Sequence, residues 1–245
     1  MSGHSKWANI KHRKGKMDSM RGKIFTKVAR EITLAAKNGA DPSNNSKLAD
    51  AIAKAKANNT PNDIIARAIK KGAGGTDDTN YEEIVYEGYG VGGVAVIVSA
   101  LTDNRNRTGP EVRYKFDKFG GNLGAQGSVS FMFDRKGLII IEKENGPDEE
   151  DLMMLALDAG ADDFNIEDDS YEILASPENF SKVRLRLEEN GIEMVDAEIT
   201  MIPQMYVSIT DPEVAAKINK MIEALEDDDD VQDVYHNAEL PDEEE

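Results

Sequence analysis

Apolar positions recur at helical spacing from residue 20 onward. Ile24, Phe25, Val28, Ile32 and Ala35 share one side of a helix predicted near Met20–Asn38, which Gly39 ends. Leu48, Ile52 and Ala55 predict a second helix over Ser46–Ala57. A third begins after Thr60, where Thr60 can cap, Pro61 suits the first helical position and Asp63 favours the positive helix end. Its apolar side is Ile64, Ile65, Ala68 and Ile69, and Gly72 closes it. Three short helices with short connections predict a small bundle. Residues 1–18 have no useful period and read as an arm, and Gly72–Asn80 reads as a linker.

Past the linker the pattern alternates between β and α. Strands are predicted at Glu82–Tyr86, Val94–Thr102 and Ser128–Phe133, with a helix near Pro110–Phe119 for which Thr108 and Glu111 have capping-box spacing. There follow a strand at Leu138–Glu142, a helix at Glu149–Ala159, strands near Phe164–Glu167 and Tyr171–Ala175, a helix from Pro177 to Glu189 and a strand near Met194–Met201. A strand at Met205–Thr210, a helix from Pro212 to Leu225 opened by Asp211-Pro212, and a strand at Val231–Tyr235 complete the set. Residues 138–201 thus spell βαββαβ, and 94–133 joined to 205–235 spell it again. The prediction is a multidomain α+β protein: an N-terminal three-helix domain and two ferredoxin-like βαββαβ domains, one inserted in the other. The predicted boundaries are 1–79, 80–134 with 204–245, and 135–203; two domains in series satisfy the same strand count.

Charge sharpens this picture. The 245 residues hold 29 Lys+Arg and 47 Asp+Glu, a net charge of −18, but the two signs are segregated. Residues 1–80 carry 16 basic and 7 acidic side chains, and the remainder carries 13 and 40. A basic module fused to an acidic body points to a polyanionic partner held at one end. The alternative is a solvated lysine-rich helical face. The lack of Cys excludes disulfides, thiolate metal sites and cysteine nucleophiles. Three His residues, at 4, 12 and 236, leave little material for a metal or catalytic site. The longest apolar stretch, near Val94–Leu101, is too short to span a bilayer, and no apolar run follows the basic start as a signal peptide would.

Candidate chemistry is concentrated in the arm. Trp7, the single Trp, lies between Lys6 and Lys11, followed by His12, Arg13, Lys14 and Lys16, then Arg21, Lys23 and Lys27. Indole faces stack on unpaired bases while Lys and Arg follow phosphates. Alternatively, Trp7 and Ile10 anchor the arm on the bundle. Arg105 and Arg107 form a second basic spot next to a helix start, suited either to a phosphate or to pairing with acids such as Asp103 or Glu111.

The glycine-rich segments are less informative. Gly88–Gly93 matches G-x-G-x-x-G but runs into a strand, so it reads as a hairpin turn rather than a dinucleotide site. Gly120–Gly127 lacks the Gly-Lys-Ser/Thr of a P-loop and reads as a flexible loop, with a nucleotide cradle as the alternative. The acidic runs Asp162–Asp169 and Glu226–Asp230 lack the calcium-loop pattern and read as solvated loops, with a weak cation site as the alternative. Neither cofactor nor metal nor enzymatic activity is indicated.

A family resemblance follows from the longer motifs. Ser2-Gly-His-Ser-Lys-Trp-Ala-Asn-Ile-Lys-His-Arg-Lys-Gly-Lys16 with Arg21-Gly-Lys-Ile-Phe-Thr-Lys27 resembles the opening of the YebC/PmpR family. Tyr81-Glu-Glu-Ile-Val-Tyr-Glu-Gly-Tyr-Gly90, Thr102-Asp-Asn-Arg-Asn-Arg-Thr108 and Gly120-Gly-Asn-Leu-Gly124 with Gly127, Ser128 and Val129 resemble its later signatures. Val91 stands where the family commonly has Pro, Phe131 where Trp is common, and Met17-Asp-Ser-Met20 replaces Gln-Asp-Ala-Lys. The resemblance implies three domains and a cytoplasmic bacterial protein of the kind described as probable DNA-binding transcriptional regulators. It also implies relatives that activate mitochondrial translation or associate with the ribosome. The expected partner is therefore nucleic acid, duplex DNA or ribosomal RNA, with the ribosome as a further partner and no membrane. Overall acidity disfavours wrapping duplex DNA, and a basic arm with one aromatic suits folded RNA at least as well.

Overall fold

The computed structural model describes residues 21–74, 81–144 and 146–241. In chain order the elements are α1 (Arg21–Ala36), α2 (Ser46–Ala57), α3 (Asn62–Ala73), β1 (Glu82–Tyr89), β2 (Ala95–Thr102), α4 (Arg105–Lys118), β3 (Asn122–Leu123), β4 (Phe133–Glu142) and α5 (Glu149–Ala159). They continue with β5 (Asp163–Ile166), β6 (Ser170–Ala175), α6 (Pro177–Glu189), β7 (Asp196–Pro203), β8 (Val207–Ser208), α7 (Pro212–Glu226), β9 (Val231–His236) and β10 (Ala238–Glu239). The chain divides into two compact units, Met1–Gly75 with Arg135–Met201, and Thr76–Asp134 with Ile202–Glu245.

In the first unit, α1–α3 bury Val28, Ile32, Leu48 and Ile65 among the alanines Ala36, Ala51, Ala55 and Ala68. The small side chains let the helices approach closely. At Gly72 a Cβ would lie only 2.2 Å from the Thr33 carbonyl oxygen, so glycine serves as a contact surface here; it does not end the helix as expected, since α3 runs on to Ala73 with Gly74 at its C-cap. Asn45 caps α2 by accepting from the Leu48 amide at 3.2 Å, and its Nδ2 donates to the Ala35 and Gly39 carbonyls at 2.8 Å each. The expected Thr60 cap does not form. The residue before α3 is Pro61, no side chain caps it, and the Thr60 amide donates to the Ala55 carbonyl at 2.9 Å, ending α2 instead.

The remainder of this unit is βαββαβ with strand order β5-β6-β4-β7. β6 is antiparallel to both β4 and β5. This is the ferredoxin-like arrangement predicted for the inserted segment. Alternation along β4 and β6 sends Ile139, Ile141, Tyr171 and Ile173 against Leu152 and Ala156 of α5 and Phe180, Val183 and Leu187 of α6. Asp148 and Ser176 cap the two helices. Within the unit, Asp50 of α2 joins the bundle to α6. It accepts from Ser181 Oγ at 2.6 Å and pairs at 3.1 Å with Arg184, whose buried guanidinium also meets Glu188 at 3.1 Å.

The second unit reaches the same sheet plan by a different strand order. Its sheet runs β3-β1-β2-β9, with β1 antiparallel to β2 and β3, and β9 antiparallel to β2. The place next to β2 that the sequence pattern assigned to Met205–Thr210 is taken by β1. Two corrections follow. Only Val207–Ser208 of the 205–210 segment is β, paired parallel with β10. Ser128–Phe133 is not a strand: residues 130–132 form a 3-10 turn, and β4 begins at Phe133. The physical reason is proximity along the chain. β1 and β2 are joined by a tight turn in which Gly92 and Gly93 adopt φ of 75° and 76°, so they pair from Tyr89↔Ala95 through Glu82↔Thr102 at small loop-closure cost. The core is Val94, Val96 and Val98 against Val112 and Phe116 of α4 and Ile218, Met221 and Leu225 of α7.

Candidate nucleic-acid interface

Of the predicted contact residues, Lys6, Trp7, Lys11, His12, Arg13, Lys14 and Lys16 lie outside the described residues. Arg21 opens α1, and Lys23 and Lys27 follow one turn apart, each half-buried. Residues 21–74 hold 11 Lys+Arg against 4 Asp+Glu. Some of these charges are internally engaged: Arg67 pairs with Asp63 at 2.8 Å and Lys54 with Glu31 at 3.4 Å. Lys47, Lys56, Lys70 and Lys71 are exposed on α2 and α3, so the basic field extends beyond the arm. The sequence signal for these four was the charge excess of the whole 1–80 segment rather than a motif.

Arg105 and Arg107 differ sharply. Asn104 caps α4 by accepting from the Arg107 amide at 3.2 Å, so the helix starts five residues before the predicted Pro110. Arg105 faces solvent, with Glu82 3.9 Å away. Arg107 donates to Asp103 at 3.0 Å and, through Nε and Nη2, to Asp230 at 3.2 and 2.6 Å. Its charge is already balanced by two carboxylates at close range, and Arg105 is the more exposed and more loosely paired of the two cations. Asp230 also accepts from the buried Thr102 and Thr108 hydroxyls at 3.1 and 2.8 Å. Burial raises the Asp230 carboxyl, but the Arg107, Thr108 and Thr102 donors outweigh it and hold the group below the usual carboxylate range. The run Glu226–Asp230 is therefore not a plain solvated loop. Asp228 and Asp230 are buried, and Asp228 pairs with Lys115 of α4.

The glycine-rich segment 120–130 is organised by Glu87 of β1. Its carbonyl accepts from the Gly124 amide at 2.8 Å. Its carboxylate accepts from the amides of Gly127, Val129 and Ser130 at 2.8, 2.9 and 2.8 Å. Convergent backbone amides of this kind are an anion cradle, and here the anion is the chain's own side chain. A nucleotide phosphate thus finds these three donors occupied. Burial opposes ionisation of Glu87, yet the three amides win and lower its pKa. Gly88–Gly93 lies in the β1–β2 hairpin, as its sequence context predicts.

His236 closes the second unit's sheet. The Ala238 amide donates to its Nδ1 at 3.2 Å, and burial of the imidazole pushes its pKa down to about 4. The folded state therefore resists protonation that the unfolded chain accepts below about pH 6.5. Stability is full above that pH and is lost as pH falls towards the folded value. Between pH 6.5 and 5 the expected loss is about 2 kcal/mol, measured by urea titration at each pH; His236→Gln should flatten this limb. An unchanged slope in the variant would refute the assignment.

Among the described residues no group of three or more His, Cys, Asp or Glu is arranged to hold a metal ion. No helix among them is long and apolar enough to cross a membrane.

The fold defines a class: an N-terminal helical domain followed by α+β domains of ferredoxin-like plan. Comparison with known proteins makes this specific. Residues 5–75 match the "TACO1/YebC protein N-terminal domain" and residues 81–238 match the "TACO1/YebC second and third domain". The chain belongs to the TACO1/YebC family. It is 63% identical over 238 residues to a "Probable transcriptional regulatory protein" of Acetivibrio thermocellus, covering 97% of this chain and 98% of that one. It is 59% identical over 244 residues to a protein of Clostridium novyi with the same description, covering 99% of each. The crystal structure of a conserved hypothetical protein, Aq1575, from Aquifex aeolicus superposes with a TM-score of 0.82 at 46% identity, covering 94% of both chains.

Proposed function

We propose that this protein is a non-enzymatic, nucleic-acid-binding regulator of gene expression acting in the cytoplasm. The observation that carries the reading is charge segregation: 16 Lys+Arg against 7 Asp+Glu in residues 1–80, and 13 against 40 beyond them. Lys6, Lys11, Arg13, Lys14, Lys16, Arg21, Lys23 and Lys27 contact phosphate and Trp7 stacks on a base, while Arg105 is a separate candidate phosphate contact on the second unit. Residues 1–79 act as the binding module, and the α+β body, with 135–203 inserted between 80–134 and 204–245, keeps the remainder of the surface off the polyanion by like-charge repulsion. The names of the relatives support transcriptional regulation. One feature favours RNA in a second reading, a ribosome- or rRNA-associated translation factor: a basic arm with a single stacking aromatic suits unpaired bases better than a closed duplex.

The test is fluorescence anisotropy of the intact chain with duplex promoter DNA and with a ribosomal RNA fragment, at two salt concentrations, beside a chain lacking residues 1–18. Arm removal deletes five basic side chains and Trp7. It is expected to weaken binding by about 100-fold and to flatten the salt dependence. Equal binding with and without the arm would refute the reading. Preference for the duplex at physiological salt supports the transcriptional form, and preference for RNA the translational one.

A further inference from the structure

The acidic second unit carries one cationic helix. The unit holds 7 Lys+Arg against 23 Asp+Glu, yet five of the seven cations lie on α4 beside only two acids, Glu111 and Asp117. Two of the five serve the fold: Arg107 and Lys115 meet the buried Asp230 and Asp228. The other three face solvent. Arg105 is paired loosely with Glu82, and neither Arg113 nor Lys118 has an ion-pair partner among the described residues.

Tyr114 stands between Arg113 and Lys118. The helix turns Thr108, Val112 and Phe116 into the core, and Tyr114 lies on the opposite side, 63% exposed. Its hydroxyl has no hydrogen-bond partner among the described residues, so the fold draws neither packing nor a polar contact from it. The Lys118 ammonium, one turn further on, lies 5.9 Å from the centre of the tyrosine ring. Arg113 occupies the other flank of the same outer face.

An exposed aromatic between two cations narrows the choice of partner. An acidic peptide pairs with Arg113 and Lys118 but gains little from the ring. A closed duplex keeps its base faces stacked inside, and its long rows of phosphate meet the acids of the remaining surface. An unpaired nucleotide offers a flat face to the ring and a phosphate on either side to the cations.

We propose that the outer face of α4 is a single-strand subsite. Tyr114 stacks on one unpaired base, and Lys118 and Arg113 hold the phosphates on either side of it. Arg105, about 12 Å back along the helix, takes a phosphate further along the strand. The inference rests on the nucleic-acid reading above and adds a contact separate from the arm.

The experiment measures anisotropy of the full chain with a 12-nucleotide uridine-rich RNA, the corresponding single-stranded DNA and a 12-base-pair duplex. The variants are Tyr114→Ala, Tyr114→Phe, R113A/K118A and a full-length chain with Lys11, Arg13, Lys14 and Lys16 changed to Ser. Tyr114→Ala is expected to weaken single-strand binding about tenfold and to leave the duplex unchanged, while Tyr114→Phe keeps the original affinity. R113A/K118A is expected to reduce the slope of log K against log salt by about 1.4, two phosphate contacts on a single strand. A Tyr114→Ala effect with either single strand supports the proposal, and the stronger of the two identifies the sugar. If Tyr114→Ala binds the strands normally while the arm variant does not, the subsite falls and the arm reading stands. If Tyr114→Ala loses affinity while the arm variant does not, the subsite stands and the arm reading falls. No binding by the intact chain overturns both. Equal losses in Tyr114→Phe, an equal loss on the duplex, or full displacement of the RNA by a 12-residue Asp/Glu peptide would also overturn the subsite. Tyr114 lies outside the core, so the thermal midpoint of its variants is expected to match that of the unaltered chain.

Discussion

Replacing Asp230 with alanine is expected to destabilise the second unit by about 3–5 kcal/mol, the range for breaking a buried charged network from one side. Asp230 is 3% exposed and one oxygen collects four donors from Thr102, Thr108 and Arg107. Removing it takes the carboxylate acceptor from two buried hydroxyls, of which Thr108 keeps the Thr102 hydroxyl and the Asn104 carbonyl within reach. Arg107 is partly solvated and keeps Asp103, so the ion pair itself contributes the smaller part. The network joins the end of β2, the first turn of α4 and the start of β9, so the loss should appear as faster hydrogen exchange across the β2–β9 pair together with a lower urea midpoint. A change below about 1 kcal/mol would mean that these hydroxyls find water instead. Asp230→Asn should recover part of the loss, because one amide oxygen can still accept from the threonines.

Replacing Glu87 with alanine is expected to cost about 3 kcal/mol and to release the glycine-rich segment. Three backbone amides lose their acceptor at once, and an unsatisfied buried amide costs about 1–3 kcal/mol before water relieves it. Amide exchange at Gly127, Val129 and Ser130 should rise by about 100-fold, with little change in α1–α3. Protection that survives the substitution would show that the turn is held by Val129 packing alone. Glu87 and Asp230 share a sign in pH: both carboxyls are held below their ordinary range. Their stabilisation is complete above the unfolded values near pH 4 and is lost as pH falls through the folded ones. This acid limb lies below the one His236 supplies, so acid unfolding should proceed in two limbs, the upper removed by His236→Gln and the lower by Glu87→Gln.

Helices were legible wherever apolar spacing and caps agreed. α2 matches its predicted Ser46–Ala57 span, and Asp211-Pro212 opens α7 as expected, with Asp211 accepting from the Glu213 amide at 2.9 Å. Local pattern misled at α4, where a capping-box spacing at Thr108 competed with Asn104. The Thr108 hydroxyl is drawn instead to Asp230, 122 residues away, and no local window contains that partner. The acidic run before β9 misled for the same reason. Asp227 and Asp229 are exposed while Asp228 and Asp230 are buried, a distinction set by Lys115 and Arg107 on α4 rather than by anything within the run. The candidate site divides likewise. The basic residues of α1 and their charge field could be read directly, whereas the separate fates of Arg105 and Arg107 could not.

What the sequence by itself determined was the division into a basic helical module and an acidic α+β body, and the βαββαβ order of residues 138–201. Both follow from quantities that add up locally: charge per segment and apolar period. Tertiary structure alone decided which strand lies beside β2. The segments 82–89 and 205–210 have comparable strand patterns, and the choice went to the one that closes a short hairpin, which left Met205 and Tyr206 outside the core. It also decided that the glycine-rich signature is filled by Glu87. Three amides spread over residues 127–130 point to one place only after β1 has paired with β2 and β3, because converging hydrogen bonds depend on positions in space that composition and spacing do not encode.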